Sequence, residues 1–71
     1  MSAWLGEELE EASRLALRAV ILSDEDPAAM GALADCYYRR GLYRKALQWI
    51  EKSVTRAPDQ EQYRLQRERY R

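Results

Sequence analysis

The sequence contains no histidine and only one cysteine among its 71 residues. These shortages exclude a disulfide framework, a zinc site built from cysteine and histidine, and catalytic Ser-His or Cys-His pairs. Glycine-rich phosphate loops and metal-ligand spacings are also missing from the sequence, so we expect no enzymatic activity, no cofactor and no metal. Packing alone must hold such a chain together.

Long apolar runs are missing as well. None approaches the roughly 18 residues of a membrane span, and the N-terminus lacks the basic start of a signal peptide. We therefore expect a soluble, cytoplasmic protein without a membrane partner. The length predicts one domain over residues 1–71. A chain this short buries only about 60% of the surface that it exposes when unfolded, so a covering partner would stabilise it.

Charge of either sign is balanced over the whole chain but not within its halves. The 12 basic and 12 acidic side chains cancel formally. Residues 1–36, however, hold two basic and eight acidic groups, a net charge of −6, whereas residues 37–71 hold ten basic and four acidic groups, a net charge of +6. Such asymmetry can steer encounters with partners, or with copies of the same chain.

Glycine and proline are few, three and two residues, and they stand where helices should begin and end. Apolar residues at helical spacing predict a first helix between Gly6 and Asp24, with its acidic residues in the first turns, where they meet the positive end of the helix dipole. The apolar residues of this stripe are Leu9, Ala12, Ala16, Ala19, Val20 and Leu22. Asp26 and Pro27 are typical of a cap and first position of a second helix.

Gly41 is placed to end the second helix in a left-handed conformation. A third helix is predicted from about Leu42 to Ala57, and Pro58 marks its end. Its apolar stripe consists of Tyr43, Ala46, Leu47, Ile50 and Val54. Asp59 and Gln62 have capping-box spacing for a last helix over residues 60–71. That helix offers little beyond Tyr63, Leu65 and Tyr70 to bury.

The chain also repeats itself at a period of 34 residues. A shift by this period pairs Leu9 with Tyr43, Ala12 with Ala46, Ala16 with Ile50, Arg18 with Lys52 and Val20 with Val54. Alanines at matched positions let two helix axes approach closely. The period therefore predicts stacked helical units.

The motif inside this period resembles the tetratricopeptide repeat. Its pattern has W-x-x-L-G-x-x-Y, then A-x-x-x-F, then P. The matching residues are Met30, Leu33, Ala34, Tyr37, Gly41, Tyr43, Ala46, Ile50 and Pro58. Met30 stands where tryptophan is common, and Ser53 replaces an expected small apolar residue. The resemblance implies an all-α fold of antiparallel helical hairpins, stacked as a short right-handed superhelix of three main helices and a C-terminal capping helix.

The resemblance divides the chain into three parts. Residues 27–60 form a complete repeat, residues 6–26 resemble the second helix of a preceding or degenerate repeat, and residues 61–71 form a capping or truncated helix. Three or more repeats are usually needed for stability. We therefore expect either a fragment of a longer array or ends that associate with another chain.

The resemblance also implies a non-catalytic scaffold that binds a peptide or helix in a concave groove lined by the first helix of each repeat. The groove positions in this sequence are Ala28, Gly31, Ala32, Asp35, Tyr38 and Arg39. Tyr38 and Arg39 are the best contact candidates, because aromatic and arginine side chains dominate interface hot spots. The alternative is that Tyr38 packs beside Tyr37 and that Arg39 interacts with the helix dipole.

Some members of this family grip a chaperone's C-terminal carboxylate with lysine, arginine and asparagine. That clamp is not supported here, because Gly31, Asp35, Gln62 and Gln66 occupy its positions. A protein or peptide of other chemistry is expected instead. Self-association through oppositely charged ends is a second hypothesis. Nucleic-acid binding by the arginines of residues 64–71 is disfavoured, since Glu61 and Glu68 interrupt their charge.

Three further side chains invite interpretation. We expect Trp49 to be partly buried beside Ile50. Trp4 caps the first helix pair or faces a missing repeat. Cys36 is predicted to be a small buried hydrophobe rather than a reactive thiol.

Overall fold

The computed structural model describes the backbone of residues 2–71 and the side chains from Gly6 onward. Over these residues the chain forms four helices: α1 (Ser2–Leu22), α2 (Pro27–Arg39), α3 (Tyr43–Arg56) and α4 (Glu61–Tyr70). Short turns join them, and each helix packs against the next one in the chain. The all-α prediction of stacked antiparallel hairpins is confirmed. The expectation for Trp4 falls outside the described side chains.

The N-terminal boundary of α1 differs from the prediction. The helix begins at Ser2, before Gly6, and its first turn contains no acidic residue. The glutamates at positions 7, 8, 10 and 11 therefore lie in the second and third turns, where the dipole's effect has fallen away. They are exposed on the helix surface instead. The expectation that they stabilise the helix start is wrong.

Proline and glycine bound α2 as the sequence predicts. Pro27 occupies the first turn after Asp26, and Gly41 has φ of 83°, the left-handed conformation that glycine adopts without strain. The predicted side-chain caps do not form. Asp26 is the N-cap residue but makes no capping hydrogen bond, and α4 is preceded by Gln60 rather than by a capping box of Asp59 and Gln62.

The core lies between the helices and contains most of the repeat motif. Its buried apolar members are Val20, Met30, Leu33, Ala34, Tyr37, Ala46, Ile50, Tyr63 and Tyr70. Trp49 is partly buried against this cluster, as predicted. Several stripe residues are exposed, contrary to expectation, because each lies at the outer edge of its helix: Ala19, Leu22, Tyr43 and Leu65. Cys36 is half-buried rather than buried.

The turn between α1 and α2 is tied down by α3. Ser53, the departure from the motif, is fully buried, and its hydroxyl donates to the carbonyl of Pro27 at 2.9 Å. Glu25 accepts ion pairs from Lys52 at 3.2 Å and from Arg56 at 3.5 Å. These bonds hold the turn although Asp24 and Glu25 have φ of 55° and 62°, which is unfavourable for residues with a side chain. Ser53 thus fixes how successive units stack.

Candidate binding groove between α2 and α4

The six predicted groove residues lie on one surface, between α2 and α4. A cavity of about 400 Å³ is lined on the α2 side by Ala28, Gly31, Ala32, Asp35 and Arg39, and on the α4 side by Gln62, Tyr63, Gln66 and Arg69. A neighbouring cavity of about 470 Å³ is lined by Asp35, Tyr38, Arg39, Arg69 and Tyr70. Because three residues line both cavities, we treat the two as one groove.

Gly31 gives the groove its narrow floor. A Cβ atom at this position would lie 3.2 Å from a ring carbon of Tyr63 and 3.6 Å from Oε1 of Gln66. The absence of a side chain lets α4 approach the backbone of α2, where Nε2 of Gln66 donates to the carbonyl of Gly31 at 2.9 Å. Gly31 itself is buried. It contributes shape to the groove rather than a contact surface.

A chain of polar contacts crosses the groove floor. Nε2 of Gln66 also donates to the hydroxyl oxygen of Tyr70 at 2.7 Å, and that hydroxyl donates to Oδ1 of Asp35 at 3.3 Å. The other carboxylate oxygen of Asp35 pairs with Nε of Arg39 at 3.1 Å. Burial raises the pKa of the Tyr70 hydroxyl above its ordinary value, which favours the neutral phenol that donates this bond. The orientation of Asp35 is thereby fixed from two helices.

Tyr38 belongs to an aromatic cluster at the end of this groove. Its ring stacks on Tyr70 with a centroid distance of 4.4 Å and an interplanar angle of 17°, and lies 5.2 Å from the ring of Tyr43 in a tilted arrangement. Tyr38 is still 37% exposed. Tyr38 thus packs on rings from two other helices, which hold a partly open aromatic surface in place.

The charges of the groove come from three side chains. Asp35 is already paired with Arg39, whereas Arg69 makes none of the ion pairs found among the described side chains. The groove therefore carries a net positive charge, with one guanidinium open to a partner. Burial, followed by the nearby Asp35 carboxylate, raises the pKa of the Cys36 thiol, which disfavours a nucleophilic thiolate beside the groove.

Sequence reasoning missed Arg69 and Tyr70 as groove residues. It named Gln62 and Gln66 only as positions at which the carboxylate clamp lacks its basic residues, and the structure does place both beside Gly31 and Asp35. The available signal was the spacing of Gln62, Gln66 and Arg69, which puts them on one side of α4. Which side faces α2 depends on the register of α4, which the local pattern does not show.

A second concavity lies on α3 beside the turn between α1 and α2. It has a volume of about 710 Å³ and is lined by Glu25, Met30, Gln48, Trp49, Glu51, Lys52, Thr55 and Arg56. Nζ of Lys52 lies 4.9 Å from the centroid of Trp49, above the indole. The acids Glu25 and Glu51 balance the bases Lys52 and Arg56, so this concavity has no excess charge for a ligand.

Across residues 2–71, no helix is both long and apolar enough to cross a membrane.

Comparisons with known proteins agree with the repeat. No curated protein and no solved structure matches the chain. A family model described as Tetratricopeptide repeat matches residues 5–68, which is most of the sequence. The chain belongs to the tetratricopeptide repeat family.

Proposed function

We propose that this protein is a non-catalytic interaction module that binds a peptide or helix of a protein partner in the groove between α2 and α4. The observation that carries the proposal is the convergence of Arg39, Arg69 and the stacked Tyr38 and Tyr70 around one groove. Arginine and tyrosine are the side chains that most often dominate interfaces. This function requires neither a cofactor nor a metal.

The groove suits a short segment with polar or acidic side chains. Arg69 offers an open guanidinium. Arg39 can exchange its exposed ion pair with Asp35 for a pair with an acidic group of the partner, because surface ion pairs contribute little to stability. Tyr38 offers an apolar ring edge whose position is fixed by Tyr70, so little side-chain entropy is lost on binding. Gln62 is exposed on the wall of the groove and can bond to a peptide backbone.

Nucleic-acid binding by α4 is a weaker candidate. The rings of Tyr63 and Tyr70, which would have to stack on bases, are 8% and 7% exposed. Arg64 donates to the carbonyl of Pro58 at 2.6 Å, and Arg71 pairs with Glu68 at 3.7 Å. These contacts favour a solvated helix face over a phosphate-binding surface.

Selection from a random displayed peptide library on the immobilised chain tests the groove. Affinities of selected peptides are then compared among the wild type, Tyr38→Ala, Arg39→Ala and Arg69→Ala. We expect at least one of these three to weaken binding by about tenfold or more, as for a hot spot. Arg44→Ala is the matched control, because Arg44 is exposed and lines neither groove cavity.

The proposal is wrong if the selected peptides bind all three groove variants as tightly as the wild type. It is equally wrong if Arg44→Ala reduces the affinity as much as the groove variants do. Circular dichroism of each variant separates loss of binding from loss of folding, which matters most for Tyr38→Ala because its ring packs on Tyr70.

A further inference from the structure

The 34-residue period makes α1 the equivalent of α3, and the two helices differ in how much of one face is covered. On α3 that face meets the preceding turn: Ser53 bonds to Pro27, and both Lys52 and Arg56 pair with Glu25. Ser53 has no exposed surface. The face of α3 that points back along the chain is therefore partly covered by the unit before it: Ser53 is buried, while Lys52 and Arg56 remain exposed at its edge.

The equivalent face of α1 is open. Residues 15, 18, 19 and 22 correspond to residues 49, 52, 53 and 56 of α3. Leu15 is 55% exposed, Leu22 is 82% exposed, and Ala19 between them is exposed where its equivalent Ser53 is fully buried. Two leucines and an alanine at helical spacing form an apolar seam beside Arg18. We call these residues the α1 seam: Leu15, Arg18, Ala19 and Leu22.

The chain also contains a counterpart of the turn that covers this face on α3. Glu25, which pairs with Lys52, corresponds by the same period to Asp59 in the turn between α3 and α4. Asp59 is exposed and makes none of the described side-chain hydrogen bonds or ion pairs. Arg18 of α1 corresponds to Lys52. The acid and the base of this contact are thus both present in one chain, at opposite ends of the stack.

The other charged residues at the two ends are complementary when α1 of one copy lies antiparallel to α4 of another. The first half of α1 carries exposed Glu8 and Glu11. The last turn of α4 carries Arg69, and exposed Arg71 follows that helix directly. If α1 lies antiparallel to α4, as α3 lies against α2, its acidic half faces this basic end while Arg18 faces Asp59. The opposite orientation would bring like charges together, so charge selects one direction.

We propose that the α1 seam of one copy docks on the turn between α3 and α4, and on α4, of a second copy. The stack then continues from chain to chain. An ion pair between Arg18 of one copy and Asp59 of the other is equivalent to the pair between Lys52 and Glu25 within the chain. The contact is heterologous, so further copies can add at both ends. The α1 seam contains no residue of the groove between α2 and α4, although the surface on which it docks includes Arg69 of that groove. This inference does not depend on the proposed function.

Analytical ultracentrifugation of the 71-residue chain, from micromolar to roughly 1 mM concentration at low and high salt, measures this association. We expect the average mass to rise with concentration at low salt. Leu22→Gln should raise the apparent dissociation constant by roughly tenfold. Ile21→Gln is the matched control: Ile21 is 68% exposed, and its equivalent Thr55 makes none of the described side-chain bonds to the preceding turn. It should leave the association unchanged.

Charge reversal tests the head-to-tail geometry. Arg18→Glu alone and Asp59→Lys alone should each weaken association by about three- to tenfold, because each brings like charges together. An equimolar mixture of the two variants restores one native pair and creates one reversed pair, so it should associate about as well as the wild type. A symmetric contact of α1 with α1 does not involve Asp59, so Asp59→Lys alone would then leave the association unchanged.

Three results would overturn the inference. The first is a wild-type chain that stays monomeric at every concentration and salt. The second is equal association of Leu22→Gln and Ile21→Gln. The third is failure of the mixed charge variants to recover, which would show that another occupant, such as a second α1 or a different protein, covers the seam.

Discussion

Gln66 is the polar link between α4 and α2, and replacing it by leucine should loosen α4. The substitution keeps the side-chain volume and helix propensity but removes the donors to the Gly31 carbonyl and the Tyr70 hydroxyl. Each bond contributes about 0.5–1.5 kcal/mol net, and the added apolar burial of a half-buried leucine returns about 1 kcal/mol. We expect a net loss of about 1 kcal/mol in the free energy of unfolding.

Urea unfolding followed by circular dichroism measures this loss. For a chain of this size, with a slope near 1 kcal/mol per molar urea, the midpoint should fall by about 1 M at unchanged slope. Gln62→Leu is the matched control, since Gln62 is on the same helix, is exposed and makes none of the described side-chain hydrogen bonds. It should shift the midpoint by less than about half as much.

A double-mutant cycle sharpens the test. Gln66→Leu and Tyr70→Phe should show a coupling energy of about 0.5–1 kcal/mol, because the two side chains share a hydrogen bond of 2.7 Å. Gln62→Leu and Tyr70→Phe should show none. A midpoint for Gln66→Leu equal to that of the wild type, or equal coupling in both cycles, would refute the view that this network docks α4.

Four other side chains give separate expectations, each measured as a change in unfolding free energy. Ser53→Ala should cost about 1 kcal/mol, because it deletes a buried hydrogen bond to Pro27; no loss would argue against its role in the turn. Arg67→Met should stabilise by about 1 kcal/mol, since among the described side chains the buried Nε of Arg67 has no partner; destabilisation would indicate a hidden acceptor. Gly41→Ala should cost about 1 kcal/mol at φ of 83°, and an unchanged stability would contradict the strain. Burial raises the pKa of Tyr70 above its ordinary 10.0, so the folded state favours the neutral phenol, and stability that is complete below pH 10.0 falls as pH rises through the folded pKa. Tyr70→Phe should flatten that fall in an alkaline unfolding series.

The helices and their order follow from local signals that the sequence states directly. Pro27 fits the first turn of a helix because its missing N–H would be unpaired there, and Gly41 ends α2 because only glycine enters φ of 83° without strain. The period of 34 residues gives the stacking, since Ala46 and Ile50 repeat the places of Ala12 and Ala16. These features depend on residues close together in the chain or on simple repetition.

The groove could be predicted only in part, because its second wall depends on tertiary register. The α2 residues follow from their motif positions, as Asp35 and Arg39 show. The contribution of Tyr70 depends on how α4 rotates as it packs, and that rotation is set by Tyr63 lying against Gly31. Of the three residues that the sequence offers for burial on α4, Tyr63 and Tyr70 are buried but Leu65 is 57% exposed. Contacts between residues some 35 positions apart decided the outcome.

The acidic and basic residues lie in different halves of the chain because contacts between successive repeat units pair an acid with a base. Where an acid of the first half meets a base of the second within the chain, the pair closes a contact between units, as Glu25 does with Lys52 and Arg56. Asp59 lies one period after Glu25, and Arg18 lies one period before Lys52. Neither makes an ion pair with another described side chain. A stack whose internal contacts pair acid with base therefore displays unlike charges at its two ends. The neutral composition thus describes a chain whose ends are complementary to each other.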